Sequence, residues 1–254
     1  TEEKIIAWAG EEMRLIHKTS WQAARFILPL ISFALLTLYI SGLLPGNLFS
    51  PAIIIMMALS YAISRMAGPV HNRLSRISGQ LNTLSESIRL IEKTGFSSPA
   101  LQEIKASFDQ SGKKASGQIS ELTRILERLD YRLNFIIHIP LNTFLFWDLQ
   151  QLFALEKWRE QHRATIHTWF AGLARMELAV TTGTLTFNHP GWAFPEVVSG
   201  EGIFEASALG HPLIPEGKRV NNDFATMGTG VINLVTGSNM AGKSTFLRSI
   251  GLAM

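Results

Sequence analysis

The feature that most constrains this chain is a run of 39 consecutive residues, from Phe26 to Ser64, that contains no charged side chain. The sequence LLPGN at residues 43–47 is a turn signal that divides the run into segments of 19 and 17 residues. A helix that crosses a bilayer needs about 20 apolar residues, with a range of roughly 17 to 25. The run therefore predicts a transmembrane helical hairpin that contacts membrane lipid through residues 26–64. The alternative is a buried hairpin in the core of a soluble helical protein.

Basic residues flank the uncharged run on both sides and predict how the hairpin is oriented. No acidic residue lies between Glu12 and Glu86, and the turn between the two segments carries no charge. Positively charged flanks remain on the cytoplasmic side of a membrane. We therefore expect a multi-pass protein of a bacterial-type inner membrane, with both termini in the cytoplasm. The basic residues in question are Arg14, Lys18, Arg25, Arg65, Arg73 and Arg76.

The composition agrees with a membrane segment and excludes several kinds of site. Only 17% of the residues are charged, whereas soluble domains have about 25%. There is no cysteine, which excludes a disulfide framework and any cysteine-based zinc or redox site. The formal net charge of +3 permits an acidic partner but does not require one. Because the chain begins with Thr1 and not with methionine, we expect a fragment of a longer protein.

Apolar residues recur with heptad spacing in two stretches after the hairpin, which predicts long helices packed side by side. A polar stretch between them, SGKKASG at residues 111–117, predicts a flexible tip, so the two helices are expected to run antiparallel. The first stretch contains Val70, Leu74, Ile77, Leu81, Leu84, Ile88 and Ile91, and the second contains Ile119, Leu122, Leu126, Leu129 and Leu133.

The rest of the helical region contains a second uncharged stretch, residues 134–147. It is too short to cross a bilayer and is interrupted by Pro140, so we interpret it as buried core at a joint between helices. Apolar residues at helical spacings then predict one long helix from Leu141 to about Thr182. Glycine, proline and β-branched residues follow and indicate short strands and turns, so a domain boundary is expected after residue 182.

The end of the chain, VINLVTGSNMAGKSTFLRSIGLAM, has the spacing G-x-x-x-x-G-K-[ST] of a phosphate-binding loop. In such a loop the glycines let successive backbone N–H groups point at phosphate oxygens, and the lysine reaches the outer phosphates. Residues 231–235 are expected to form a buried strand before the loop, and the helix after it directs its positive end at the phosphates. ATP and Mg²⁺ are the predicted cofactors, with the Ser244 hydroxyl as the metal ligand. The predicted phosphate-binding residues are Gly237, Ser238, Asn239, Met240, Ala241, Gly242, Lys243, Ser244 and Thr245.

The loop also resembles that of the MutS family of mismatch-repair ATPases, which commonly reads TGPNMAGKST-x-x-R-Q. Ser238 stands in place of the usual proline, and Ser249 in place of the usual glutamine. Upstream, ALGHPLI at residues 208–214 resembles the family's R-H-P segment, with Gly210 in place of arginine. VNND at residues 220–223 resembles the segment that lines the adenine pocket, so the resemblance implies adenine contacts from Arg219, Val220 and Asn222. The matching loop positions are Thr236, Gly237, Asn239, Met240, Ala241, Gly242, Lys243, Ser244, Thr245 and Arg248.

The resemblance implies an ATP-binding protein that is an ATPase when complete, forms a homodimer through its ATPase domain and binds double-stranded DNA. The family's mismatch reader is a separate N-terminal domain with a Phe-x-Glu motif. Phe194, Pro195 and Glu196 spell that motif but lie beside the ATPase segment, so we interpret the match as coincidence and expect no preference for mismatched DNA. The family's acidic catalytic residues follow the loop further downstream, so no catalytic residue is expected within this chain.

Together these patterns predict a mainly α chain with four parts. A cytoplasmic juxtamembrane segment (1–25) precedes the transmembrane helical hairpin (26–67). A core or lever domain of long antiparallel helices (68–182) follows, and then the truncated N-terminal part of an α/β P-loop ATPase domain (183–254). Two other functions stay open at this point: a membrane P-loop ATPase, and a helical scaffold that binds nucleotide as a switch, both without a DNA function.

Overall fold

The protein is mainly helical, as predicted, with 69% of its residues in helices and 6% in strands. Contacts divide the chain into two compact units, Thr1–Asn188 and His189–Met254. The computed structural model describes the side chains of all residues except Lys4 and Gln110, of which it describes only the backbone, and the following residues, which it does not describe: Thr1, Glu12, Arg14, Ser111, Gly200, Glu201 and Asn239.

The first unit begins with helices α1 (Glu2–Gly10), α2 (Thr19–Ile40) and α3 (Gly46–Lys93). Helix α2 and the first part of α3 are long and apolar enough to cross a membrane, with mean hydropathies of 1.9 and 1.6 over their most apolar stretches. Only 6% and 11% of those stretches are buried inside the protein. Two long apolar helices therefore occur where the uncharged run predicted them, and their large side chains face outward.

Helix α3 does not end where the uncharged run ends, but continues as one 48-residue helix through the first heptad stretch. It packs against α5 (Ala115–Leu129). The two helices are antiparallel, as predicted, because Glu92 pairs with Ser116 whereas His71 pairs with Asp130. The heptad positions are buried along both helices, except that Val70 is half-buried and Leu133 is exposed. The prediction that Leu133 is buried is wrong because α5 ends at Leu129 and a 3₁₀ helix (Asp130–Leu133) turns the Leu133 side chain outward.

The prediction of a flexible tip over residues 111–117 is wrong for residues 115–117, which begin α5. Helix α4 (Pro99–Ala106) and a small hairpin of β1 (Asp109–Gln110) and β2 (Lys113–Lys114) lead directly into α5, whose first residues are buried. The buried Glu92 carboxylate fixes this start, because it accepts hydrogen bonds from the Ser116 backbone N–H (3.1 Å) and hydroxyl (2.5 Å). A carboxylate here satisfies a donor that has no acceptor within the helix.

Helices α6 (Phe135–Leu145), α7 (Trp147–His162) and α8 (Ile166–Asn188) complete the first unit. The prediction of one long helix from residue 141 is wrong, because the chain breaks at Phe146 and again at residues 163–165. Phe146 is fully buried and has a φ of 49°, which a right-handed helix cannot contain. The strands expected from residue 182 are also wrong: α8 continues to Asn188, residues 189–199 contain only turns and irregular structure, and the next strand begins at Phe204.

The uncharged stretch 134–147 is buried core at a helix joint, as predicted, only in its second half, where Phe146 is fully buried between α6 and α7. The side chains of Phe135 and Ile136 at the start of α6 are 75% and 83% exposed. Polar residues of this stretch are also buried, among them Asn142 and Thr143. The alternation of exposed apolar and buried polar groups places this helix at a surface that differs from an ordinary water-facing one.

A buried carboxylate, Asp148, joins α3, α6 and α7. Its Oδ2 accepts a hydrogen bond from the Ser64 hydroxyl (2.5 Å) and lies 3.2 Å from Nε2 of His138. Its backbone N–H donates to Oδ1 of Asn142 (3.2 Å), and Nδ2 of Asn142 donates to the carbonyl of Ser60 (3.2 Å). The end of the second apolar segment is therefore fixed to α6 and α7 by buried hydrogen bonds, which are costly to leave unmade.

The second unit contains β3 (Phe204–Leu209), a 3₁₀ helix (Glu216–Lys218), β4 (Asn222–Thr226) and α9 (Lys243–Ala253). Strands β3 and β4 are antiparallel, with Phe204 opposite Thr226 and Ala206 opposite Phe224. The register shifts between Ala206 and Leu209. A small two-stranded sheet and one helix thus surround the predicted loop.

The buried strand predicted over residues 231–235 is wrong. These residues have no regular secondary structure, and the side chains of Ile232 and Leu234 are exposed. A strand is stabilised by hydrogen bonds to a neighbouring strand, and in the part of the chain that the structure describes β3 and β4 pair only with each other. A side-chain hydrogen bond from Nδ2 of Asn233 to Oγ1 of Thr226 (3.1 Å) connects the segment to β4.

Replacing Glu92 by alanine is expected to lower the free energy of unfolding by about 1.5–3 kcal/mol, because the Ser116 N–H loses a charged acceptor at the start of α5. Denaturant unfolding of the detergent-solubilised chain, followed by circular dichroism, measures the loss. The matched control is Glu86→Ala on the same helix, whose exposed carboxylate pairs with Arg89 at 3.0 Å and should contribute less than about 1 kcal/mol. Equal losses in the two variants would contradict the role given to Glu92.

Candidate functional site

The predicted phosphate-binding loop turns the chain back onto the first turn of α9. Gly242 precedes the helix with a φ of 80°, a conformation that suits glycine. The Phe246 N–H donates to the Gly242 carbonyl (2.9 Å), and the Ala241 N–H donates to the Ser238 carbonyl (3.3 Å). Since α9 begins at Lys243, the N–H groups of its first three residues have no acceptor within the helix. The end of the loop therefore presents donors and a partial positive charge.

The Lys243 side chain lies across this loop. Its Nζ donates hydrogen bonds to the backbone carbonyls of Gly237 (2.6 Å) and Ser238 (2.5 Å). A Cβ atom added to Gly237 would lie 3.6 Å from Cδ of the lysine, so the aliphatic part of the side chain follows the loop closely. The Lys243 side chain thus contacts Gly237 and Ser238, which precede it by six and five positions in the sequence.

The other predicted loop residues are mostly exposed. The side chains of Met240, Ala241 and Ser244 face solvent, whereas Thr245 is half-buried and its carbonyl accepts a hydrogen bond from the Ser249 hydroxyl (2.9 Å). The exposed Ser244 hydroxyl follows Lys243 in the first turn of α9, where a metal ion bound to a phosphate chain can reach it. The predicted residue Asn239 lies outside the described residues.

A row of phenylalanine rings attaches α9 to the two-stranded sheet. The ring of Phe246 meets that of Phe224 edge-on, with centroids 5.9 Å apart, and Phe224 contacts Phe204 at 6.1 Å. Asn222 lies two residues before Phe224 on β4, so both side chains lie on the same face of the sheet. This puts one of the three predicted adenine contacts, Asn222, on the face that carries α9.

The other predicted adenine contacts are placed differently. Val220 is exposed. The Arg219 guanidinium lies over the Trp192 ring, with Cζ 5.6 Å from its centroid, and Nε of Arg219 donates to Oδ1 of Asn221 (3.0 Å). Trp192 in turn stacks on His189, with centroids 4.0 Å apart and an interplanar angle of 13°.

We name this arrangement of Arg219, Trp192 and His189 the aromatic stack. The sequence analysis did not predict a role for His189 or Trp192. The pattern that could have indicated one is a histidine and a tryptophan on either side of a Pro-Gly turn. Nε1 of Trp192 is buried and has no hydrogen-bond partner among the residues that the structure describes. The Arg219 side chain is thus held by its contact with the Trp192 ring and by its hydrogen bond to Asn221.

Gly210 provides the space that Arg219 occupies. A Cβ atom at Gly210 would lie 2.3 Å from Oδ1 of Asn221 and 2.4 Å from Cδ of Arg219. Gly210 stands where the family that the loop resembles has an arginine. The Arg219 side chain occupies the space next to Gly210.

No group of three or more histidine, aspartate and glutamate side chains that could hold a metal ion occurs in the described parts of the chain. Comparison with known proteins found no matching family model, no matching curated protein and no matching solved structure.

Replacing Gly210 by alanine is expected to displace Arg219 and Asn221 and so to change the surroundings of the Trp192 ring. The chain has six tryptophans, so labelling with 5-fluorotryptophan and assignment by Trp192→Phe isolates one ¹⁹F resonance. That resonance should shift in Gly210→Ala, while the other five stay in place. Gly217→Ala is the matched control, because nothing lies within 4 Å of its added Cβ. An unmoved Trp192 signal would show that Gly210 does not shape the stack.

Proposed function

We propose that this protein is a membrane-anchored, MutS-like protein that binds Mg²⁺-ATP and, as the intact protein, hydrolyses it. The observation that carries the proposal is the position of the Lys243 ammonium, which lies across a glycine-bounded loop at the head of α9. The residues of that loop, TGSNMAGKST, are those that the resemblance identifies with nucleotide binding.

The chemistry of the loop suits a chain of phosphates. Lys243 is held by two neutral carbonyls, and a phosphate oxygen is a stronger acceptor for an ammonium because that hydrogen bond joins two charges. The N–H groups in the first turn of α9, which have no acceptor within the helix, and its partial positive charge favour the same ligand. The exposed Ser244 hydroxyl would provide the protein ligand to Mg²⁺, and the remaining positions around the ion would be filled by water and phosphate oxygens.

For the adenine end of the nucleotide, the contacts favour Asn222 over Arg219. Asn222 belongs to the sheet face that carries α9, whereas the Arg219 side chain is only 11% exposed and already lies in the aromatic stack. A guanidinium can stack on a nucleobase, but here it would have to leave Trp192 first. Val220, which is exposed, can reach a base without such a rearrangement.

The membrane part of the proposal is supported by the exposure and charge of the hairpin. Helix α2 and the start of α3 present large apolar side chains outward, and the basic residues Arg25 and Arg65 stand at the same end of the hairpin. By the positive-inside rule that end, and with it both termini and the nucleotide loop, is cytoplasmic in a bacterial-type inner membrane. Homodimerisation through the ATPase domain and binding of double-stranded DNA are the parts of the proposal that the resemblance alone supports.

In the intact protein, Lys243→Ala is expected to abolish ATP hydrolysis and to weaken ATP binding at least tenfold, about 1.4 kcal/mol, because no other described group supplies the charge beside the outer phosphates. Ser244→Ala should weaken Mg²⁺-ATP more than metal-free ATP, since only the metal ion loses a ligand. Titration with a fluorescent ATP analogue, with Mg²⁺ or with a chelator, measures both effects. Lys157→Ala, an exposed lysine on α7, is the control. Unchanged hydrolysis in Lys243→Ala would mean that this loop is not the working phosphate site.

The orientation of the hairpin is tested in the same cysteine-free chain. A cysteine at Gly46, in the uncharged turn, should react with a membrane-impermeant maleimide added to intact cells, because the turn is on the outer side. A cysteine at Leu90, which is exposed on α3, should react only after the membrane is opened. Reaction of position 46 from the cytoplasmic side alone would overturn the orientation.

A further inference from the structure

Helix α6 presents large apolar side chains to its surroundings, and neither nucleotide binding nor the hairpin accounts for them. Leu133, Phe135, Ile136 and Ile137 are all exposed, at one end of a stretch without a charged residue from 134 to 147. A water-facing helix normally carries polar residues on its outer side. A contiguous exposed apolar surface of this kind marks contact with a partner or with a membrane.

The position of α6 identifies what lies against it. Helix α6 packs on both apolar helices of the hairpin. The Phe144 ring lies 6.1 Å from that of Phe33 on α2, and Nδ2 of Asn142 donates to the Ser60 carbonyl on α3 (3.2 Å). The buried hydrogen bonds at Asp148 hold the same region. Helix α6 therefore lies against the apolar hairpin, and its exposed end begins next to Arg132, which contacts the carbonyl of Ser64 on α3.

The contacts also give the depth of α6 along the hairpin. Ser60 precedes the end of the uncharged run at Ser64 by four positions, and Phe33 follows its start at Phe26 by seven. At 1.5 Å per residue, these contacts of Asn142 and Phe144, in the second half of α6, lie about 6 and 10 Å inside the charged end of the hairpin. The exposed first half of α6 follows Arg132, which contacts Ser64 at the end of the uncharged run. Interfacial helices lie about 5–10 Å into the boundary between headgroups and acyl chains.

The residues before and after α6 have the chemistry of a membrane surface. Arg132 donates a hydrogen bond to the carbonyl of Ser64 (3.3 Å), so its charge stands at the end of the uncharged run. The rings of Tyr131 and Trp147 stack with centroids 5.9 Å apart, and Nε1 of Trp147 donates to the carbonyl of Arg128 (2.8 Å). Tyrosine, tryptophan and arginine are the residues that favour the level of the headgroups.

We propose that α6 is a third membrane element, which does not span the bilayer but lies in its cytoplasmic boundary with residues 133–137 facing lipid. The inference rests on the proposed anchoring of the hairpin and extends it to a segment that the hairpin does not include. His138 and Asn142 face inward to Asp148 and Ser60, so the polar side of α6 is occupied by the protein and its apolar side is left for acyl chains.

Single spin-labelled cysteines in the full chain, reconstituted into phosphatidylcholine–phosphatidylglycerol vesicles, test this directly. Oxygen partitions into lipid and a charged nickel chelate into water, so their ratio of accessibilities reports the surroundings of the label. Ile136→Cys should resemble Ile55→Cys on the hairpin, with an oxygen-to-nickel ratio several-fold above that of Leu90→Cys. Ile55 and Leu90 are matched in exposure, at 62% and 69%, but Leu90 lies far beyond the uncharged run. Phe135→Cys is the second variant if Ile136→Cys does not fold.

The possible results separate this inference from the anchoring on which it rests. A water-like signal at Ile55 overturns the anchoring itself, and the inference with it. A lipid-like signal at Ile55 together with a water-like signal at Ile136 overturns the inference alone. Low accessibility to both reagents at Ile136 overturns lipid as the occupant. In that case, spin–spin broadening that disappears on dilution with unlabelled protein identifies a second copy, and its absence identifies another protein surface.

Discussion

The structure of the first unit depends on the continuity of helix α3. One helix of 48 residues, about 72 Å long at 1.5 Å per residue, contains both the second apolar segment and the heptad face that packs on α5. The uncharged segment ends at Ser64, and the fully buried heptad positions begin at Leu74. Near Ser64, the Asp148 carboxylate accepts a hydrogen bond from the Ser64 hydroxyl. Asp148 lies two residues after the break between α6 and α7 at Phe146. The apolar hairpin and the helical region thus share one continuous helix, which also contains Pro51 and Pro69.

Much of this fold follows from short-range patterns in the sequence. The heptad positions from Leu74 to Ile91 are buried because a strict spacing leaves a helix only one apolar face to pack. The heptad prediction was wrong at Leu133, where the helix had already ended, and the prediction of one long helix was wrong at Phe146, a buried residue with a left-handed backbone. The stretch 134–147 was interpreted as buried core because composition alone does not show which apolar side chains pack against the protein. The exposure of Phe135 and Ile136 became visible only in the structure.

At the predicted phosphate-binding loop, the local backbone follows from the sequence more directly than its surroundings do. Gly237, Ser238 and Lys243 come together because the spacing of the glycines permits one tight turn before α9. The strand expected over residues 231–235 depended on a neighbouring strand, which a local pattern cannot supply. Arg219 was predicted to contact adenine, but its neighbours Trp192 and Gly210 lie 27 and nine positions away in the sequence. No local spacing rule connects these residues, so the aromatic stack was visible only in three dimensions.

Because α3 is one continuous helix, the number of residues between its apolar segment and its heptad face sets the rotation of one relative to the other about the helix axis. Each residue added between Ser64 and Leu74 would rotate the hairpin by about 100° relative to the face that packs on α5. A single insertion would carry Ser64 away from Asp148 and turn the side of the hairpin that receives α6 toward a different direction. An insertion of seven residues would return that side to within about 20° of its place, although it would move it about 10 Å along the axis. The angular position of the apolar hairpin is therefore set by the number of residues that separate it from the heptad face.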